Sequence, residues 1–572
     1  MTLIISRLPL IVLPVLLAAW MVASPSGPPD RNLSEPVRRR SAQAALWRQS
    51  LVDAGSQPPA SADWRTVGRR LSLAMVGRPM SLEEIRRLEP IDADDRVVHH
   101  VRTLLDDPRH HDHWADRFAD LWVGREQGEF ILYRRRRFRH WLRDRLAAAT
   151  PYDELVRAVL TAEGISTDAP AVNFFAATYD SGDGSPDPVR MASRVSRTML
   201  GLRIDCVQCH DDFTGELNLG DGGHRPAAQW DFHALAAYLA APKNGGLGLR
   251  SQPPDYRVRL LGDDDETSVP AELPFFSELA SAASTKPDGS PSPDESTEPD
   301  GATEPDGATG SDVRDELARW LTDPANRQFA RAAVHRVWTW MIGVPPTDTV
   351  DNLPLERPDP PVIERLTDEF IESGYDLRRL IESIAVGPWF SAAGPPGGPA
   401  ANGPANSGAT DGNDAWFANF PASRLTPEQI AASLATASRV KTIDGETSLL
   451  IRAMQRGLFE ELLPRFGGTD VSDAAAVAPP PVAARLALLN GKTVREAAEF
   501  NPVLSTTGHT LMFAGDDERV LETIYLAVLN RPPTETETRR LIEFLGDADD
   551  RQTAVADVFW ALCNSREFVW NH

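Results

Sequence analysis

RPMSLEEIRRLE, Arg78–Glu89, spells out the start of a helix. Ser81 stands three residues before Glu84. Its hydroxyl can accept from the Glu84 amide while the Glu84 carboxylate reaches back to the Ser81 amide, which satisfies two of the donors a helix start leaves open. Apolar positions at helical spacing continue through Val101, Leu104 and Leu105, then Trp114, Phe118 and Leu121. The stretch is echoed far along the chain. LAMVGRPMSLEEIRRLE from Leu73 and LAVLNRPPTETETRRLIE from Leu526 share Leu-Ala, Arg-Pro and Arg-Arg-Leu at the same offsets, and Thr534 with Glu537 repeats the capping box. Two copies so far apart read as a recurring helix–turn–helix device, not a solenoid. Helical patterning also marks residues 138–162, as two helices parted at Thr150-Pro151-Tyr152. It recurs in Pro188–Leu202, Ala227–Ala240, Arg314–Leu321, Arg331–Met341, Pro361–Glu372 and Leu377–Ile384. Strand signals are weak, and the best, Tyr256–Leu261, suits one arm of a short hairpin. The expected fold is mainly α: two helical domains with little sheet, joined by a disordered acidic linker.

That linker is residues 281–312, where EPDGAT occurs twice in tandem, from Glu298 and from Glu304, in a tract unable to build a core. The expected order is a signal peptide at 1–24, a poorly ordered spacer at 25–61, a first domain at 62–262, the linker, and a second domain at 313–572. The second domain carries a disordered loop at 394–414. The leader has Arg7 ahead of an apolar run, Leu8–Ala23, broken by Pro9 and Pro14. That suits a cleaved secretory signal, with an uncleaved anchor as the alternative. No cysteine follows the run, so a lipoprotein anchor is excluded. The chain is therefore expected to be secreted or held at the cell envelope, with no stable membrane span beyond the leader. Its net charge of −23 would be repelled by phosphate backbones, so no nucleic-acid partner is expected.

Only three cysteines occur in 572 residues, and two of them lie in DCVQCHDDF, Asp205–Phe213. An exported chain with so few thiols does not rely on disulfides, which makes the close pair conspicuous. In Cys206-x-x-Cys209-His210 the two thiols can add to the vinyl groups of haem, and the adjacent imidazole can then ligate the iron. Covalent haem c is the leading reading. Zinc is the alternative, with Cys206 and Cys209 joined by His210, Asp211, Asp212, His224 or His233, although no second CxxC or HxxxH completes a four-ligand pattern. A thioredoxin-like dithiol or a plain Cys206–Cys209 disulfide stays open.

Taken together, several segments resemble a family of large secreted proteins of planctomycete-type bacteria. RRLSLAMVGRPMSLEEI, PRHHDHWADRFADLW, TMLGLRIDCVQCHDDF and AAQWDFHALAAYL resemble the planctomycete cytochrome c-type domain. NRQFARAAVHRVWTWMIG, ESGYDLRRLIESIAVGPWF, SRLTPEQIAASL and ALCNSREFVWNH resemble the planctomycete-specific domain that follows it. The resemblance spans most of 62–572 outside the low-complexity tracts and implies a cytochrome-like haem protein. This sequence departs from the pattern. The family usually reads Cys-His-Asp-His-Pro-Phe, whereas here Asp212 replaces the second histidine and the proline is gone. His335-Arg336 stands where the family has Asn-Arg.

A sixth iron ligand is not evident. His233, on an apolar helix face, and His224, in a Gly-rich loop, are the distal candidates; His233 also suits a core histidine with a satisfied hydrogen bond. Met191 and Met199 lie on the preceding helix, with Met199 expected in the core. His110, His111 and His113 suit a solvated helix start better than a metal cluster. The arginines of RRRRFRHW, Arg134–Trp141, suit the wet side of an amphipathic helix, with haem propionates as minor partners. Cys563 falls on an apolar stripe and is expected in the core. No nucleophile elbow, phosphate loop or zincin motif occurs. The expected function is a secreted, cytochrome c-like haem protein serving electron transfer or a haem-linked redox step, with an envelope protein as partner. The rivals are a non-catalytic envelope scaffold or binding protein whose CxxC is structural or zinc-binding, and an enzyme using the Asp-rich segment after the motif.

Overall fold

The computed structural model describes residues 34–53, 59–125, 133–179, 185–279 (without 216, 221–223 and 246–247), 310–394 (without 348), 419–442, 447 and 486–571 (without 487, 490–491, 500 and 502–504). The leader, all but residues 310–312 of the 281–312 tract, and all but the first residue of the 394–414 loop lie outside the described residues.

The first half runs α1 (Ser34–Asp53), α2 (Trp64–Val76), α3 (Leu82–Leu88), α4 (Ala93–Leu105), α5 (Pro108–Val123), α6 (Arg135–Ala147), α7 (Tyr152–Leu160), α8 (Asn173–Ala176), α9 (Pro188–Met199) and α10 (Gln229–Tyr238). Two antiparallel hairpins follow, β1 (Pro242–Asn244) with β2 (Leu249–Ser251), and β3 (Arg257–Val258) with β4 (Thr267–Ser268). The second half runs α11 (Gly310–Thr322), α12 (Arg327–Ile342), α13 (Pro361–Glu372), α14 (Leu377–Ala385), α15 (Pro427–Ala437), α16 (Lys492–Ala498), α17 (Thr506–Phe513), α18 (Asp517–Leu529), α19 (Glu535–Gly546) and α20 (Arg551–Cys563). A last pair, β5 (Ser423–Arg424) with β6 (Trp570–Asn571), closes that half. The protein is mainly helical, and its described sheets have only two strands each.

The two halves pack directly on one another. The largest apolar core runs from Trp47 to Phe420 and draws on both sides of the low-complexity tract. Tyr152 stacks on Phe329 at 5.2 Å, and the buried Arg314 donates to the carbonyls of Leu160 and Ala162 at 3.1 and 2.9 Å. At the centre lies α12, of which only Arg327 and Trp340 are not buried. Its polar side chains must therefore find partners inside. Gln328 donates to the carbonyls of Leu200 and Leu353 at 2.7 and 3.0 Å. Arg331 binds both oxygens of Asp359 at 2.7 and 2.8 Å, and His335 Nε2 donates to the same carboxylate at 2.9 Å. Burial would raise Asp359, but the hydrogen bonds from Arg331 and His335 outweigh it and hold the acid down to about 2.

The echoed segments fold alike and meet. Gly77 after α2 and Asn530 after α18 both take the left-handed conformation that ends a helix. Ser81–Glu84 and Thr534–Glu537 form complete capping boxes. Leu73 packs in the second core, among residues 425–568, while its counterpart Leu526 packs against Met80, Ile85 and Leu88 of the first copy. Fully buried Asn530 seals the contact: its Oδ1 accepts from the Met80 amide at 3.0 Å and its Nδ2 donates to the Met80 carbonyl at 2.8 Å.

Two expectations are corrected. Within the 25–61 spacer, α1 is ordered as a helix; Trp47 and Leu51 are buried, and Arg39 pairs with Glu382 at 2.6 Å. Its partners are α13 and α14, remote in sequence, and its own composition is too polar to announce them. The histidines of α5 are less solvated than expected, with His110 buried and His111 and His113 half-buried. His110 is bonded through Nδ1 to the Met75 carbonyl, and His113 Nε2 accepts from Arg117. The wet-side reading of the α6 arginines holds: Arg136 and Arg137 are exposed while Phe138 and Leu142 are buried, and the half-buried Arg135 and Arg139 reach α5, at Asp120 and at Asp112 and Asp116. The hairpin arm and the core positions of Cys563 and Met199 are as expected, and Met191 is buried as well.

Two outcomes follow from this packing. Asn530→Gly keeps the left-handed backbone but strands both polar groups of Met80, and should cost on the order of 2–4 kcal/mol in urea unfolding. His100, buried and bonded to Ser72 Oγ at 2.9 Å, is lowered by burial from 6.5 to about 4. The folded state therefore holds it neutral, and the unfolded chain takes up the proton first. Its contribution is complete above pH 6.5 and is lost as the pH falls through about 4. The stability gap between wild type and His100→Gln should shrink over that window in urea melts at stepped pH.

Candidate functional site

The cysteine motif is delivered by a break in the chain. Helix α9 stops at Met199, and Gly201, at φ +61°, turns the backbone. A Cβ at Gly201 would meet Leu353 Cδ1 at 2.9 Å and the Val350 carbonyl at 3.0 Å, and the Gly201 carbonyl accepts from the Leu353 amide. The second half thus fixes the entry to the motif. Residues Ile204–Gln208 then form a short 3-10 turn, with Cys209 as its cap, so the motif does not continue α9. Ile204 and Val207 are buried anchors, while Cys206, Cys209 and His210 are exposed. Asp205 is held by a two-point ion pair with Arg197.

The two thiols are free, with no disulfide between them. His210 Nδ1 lies 2.7 Å from the Asp211 carbonyl oxygen. A carbonyl only accepts, so Nδ1 carries the hydrogen, and in the neutral ring Nε2 keeps the lone pair. That tautomer is the one in which a histidine can ligate a metal while its other nitrogen is oriented by a carbonyl. Phe213, 81% exposed, stacks against the His210 ring at 5.9 Å.

Asp212, where the resemblance called for histidine, closes the loop after the motif. Oδ1 accepts from the Thr214 amide, the Thr214 hydroxyl and the Gly215 amide at 3.0, 2.7 and 3.1 Å, and Oδ2 accepts from the Leu217 amide at 2.7 Å. The Thr214 hydroxyl, then the Leu217 amide, hold this carboxyl below its usual range. A histidine could not accept four such bonds, so the substitution exchanges a ligand type for a loop fastener.

The two distal candidates are placed differently. His233 is buried, with Nε2 on the Gln208 carbonyl at 3.0 Å and Nδ1 on the Tyr256 hydroxyl at 2.8 Å. Nε2 therefore donates and Nδ1 accepts, and burial, which lowers this group, keeps it neutral. Both nitrogens are engaged, as in a hydrogen-bonded core histidine. His224 is exposed and sits over the loop that follows the motif, such that a Cβ on Gly215 would come within 3.3 Å of its ring. Among the described residues, no group of three or more His, Cys, Asp and Glu side chains is arranged to hold a metal ion, and no helix is long and apolar enough to cross a membrane. Sequence reasoning missed Gln229 and Tyr256 as supports of the motif, since neither residue type carries a chemical signature.

Residues 45–222, which contain the motif, match the family model described as Protein of unknown function (DUF1549), and residues 313–545 match the one described as Protein of unknown function (DUF1553). The chain carries this planctomycete-type domain pair. No curated protein and no solved structure matches it. The DUF1549 stretch ends before α10, so Gln229, His233 and Tyr256 fall between the two matched stretches.

Asp212→Ala should release the Thr214, Gly215 and Leu217 amides while leaving α9 and α10 protected. Hydrogen exchange resolved to these residues reads the difference.

Proposed function

We propose that this chain is a c-type haem protein of the cell envelope that serves electron transfer or a haem-linked redox step. The observation that carries the reading is the His210 tautomer. Nδ1–H is spent on the Asp211 carbonyl, which leaves the lone pair on Nε2, and the neighbouring Cys206 and Cys209 of the motif are exposed and unbridged. The residues present fit covalent attachment. Each of the Cys206 and Cys209 thiols would add across one vinyl C=C, sulfur to one carbon and hydrogen to the other, with no net oxidation. His210 Nε2 would ligate the iron, and exposed Phe213 offers a flat apolar face beside it. When bound, haem supplies one-electron chemistry. The leader-like N-terminus supports an address outside the cytoplasm, where such attachment takes place. The engaged nitrogens of His233 favour a haem ligated by the protein on one side, with exposed His224 the remaining candidate for the other.

Full-length protein produced in a host with c-type haem maturation should keep its haem after denaturation, seen as a stained band and a pyridine haemochrome spectrum. Cys209→Ser should lower the covalently retained haem, and His210→Ala should shift the visible bands. A colourless band with both thiols titratable would sink the haem reading, and metal analysis of the same sample would then test zinc.

A further inference from the structure

We propose that Gln229 and His233 are positioning residues for the attachment motif, acting on the peptide between its two cysteines, and that the functional unit extends through the hairpin arm Tyr256–Leu261. The assignment rests on the haem reading for its purpose and on geometry for its substance. The carbonyl of Gln208, the residue just before Cys209, accepts two hydrogen bonds, from Gln229 Nε2 and His233 Nε2, each at 3.0 Å. The two donors are four residues apart on one face of α10. They fill both lone pairs of that oxygen. The Gln229 amide also donates to Asp211 Oδ1 at 2.8 Å. Cys209 and His210 are thus bracketed on both sides by contacts to the start of a single helix.

Each clamp residue is itself held from behind. Gln229 Oε1 accepts from the Leu261 amide at 2.9 Å, and His233 Nδ1 accepts from the Tyr256 hydroxyl at 2.8 Å. Gln229, His233 and Tyr256 are all buried, so these bonds do not compete freely with water. The arm that supplies them enters the β3–β4 hairpin. Every residue of this support lies beyond 222 and before 313, outside both matched stretches.

The test uses full-length protein. Gln229→Glu keeps the acceptor for Leu261 but replaces the donor to Gln208 with a second acceptor, and His233→Leu removes the other donor. His233→Gln restores an N–H at the reach of Nε2, and Tyr256→Phe removes only the hydroxyl behind His233. In haem-free protein, amide exchange across residues 208–212 should rise about fivefold in Gln229→Glu and His233→Leu. It should rise less in Tyr256→Phe and return toward wild type in His233→Gln, with exchange in α12 unchanged throughout. In haem-loaded protein the first two variants should shift the visible bands and lower covalent haem per chain. Should the leucine variant fail to fold, Tyr256→Phe against wild type carries the comparison. Motif exchange unmoved in Gln229→Glu and Tyr256→Phe would overturn the clamp, whether or not haem is attached. A wild type that takes no haem, with variants that loosen as described, would overturn the haem reading and leave the clamp standing.

Discussion

The Arg331–Asp359 pair sits where the protein has least room for error. Helix α12 is surrounded by other elements, and it brings Gln328, Arg331, His335 and Arg336 with it into the interior. A buried ion pair adds little net stability, but removing one member strands the other at high cost. The segment from Val350 to Asp359 must therefore wrap α12 in one register. Asp351 meets Arg336, Leu353 and Pro354 offer their carbonyls, and Asp359 closes the set. That same segment presses Val350 and Leu353 against Gly201. The polar needs of one buried helix in the second half thus determine where the cysteine motif leaves the first.

Legibility followed the range of the interaction. The capping boxes at Ser81 and Thr534 were readable because their partners are three residues away, and helix starts and stops were placed within a few residues for the same reason. The meeting of the two copies was not readable. Leu73 and Leu526 look like ordinary apolar helix positions, and nothing local says that each packs into the other's surroundings. Helix α1 hid behind a composition of Pro, Arg, Ser and Ala, since its two anchors are too few to make a periodic stripe. The α5 histidines look wet in sequence because no partner set is in view there; the Met75 carbonyl that meets His110 and the Arg117 that meets His113 are supplied by folding.

At the site, the residue types of the motif were legible and the conformation that makes them usable was not. Spacing alone identifies Cys206, Cys209 and His210. It does not say that a 3-10 turn exposes them while Ile204 and Val207 anchor them, or which nitrogen of His210 carries the hydrogen. The departure at Asp212 was visible as a lost histidine. Folded, it is a gain of four hydrogen bonds that tie down the very next loop. His335, the other departure, makes a comparable exchange, joining Arg331 on the Asp359 carboxylate.

Because the largest core gathers side chains from both sides of residues 281–312, covalent continuity there adds the entropy of holding two ends near one another to an interior the halves already share. That term grows slowly with length, by roughly 0.6 kcal/mol per doubling. In loop-closure entropy, then, gaining or losing one EPDGAT unit costs little. Were the backbone severed there, the two pieces would behave as subunits of a tight heterodimer, sharing one interior without sharing a chain.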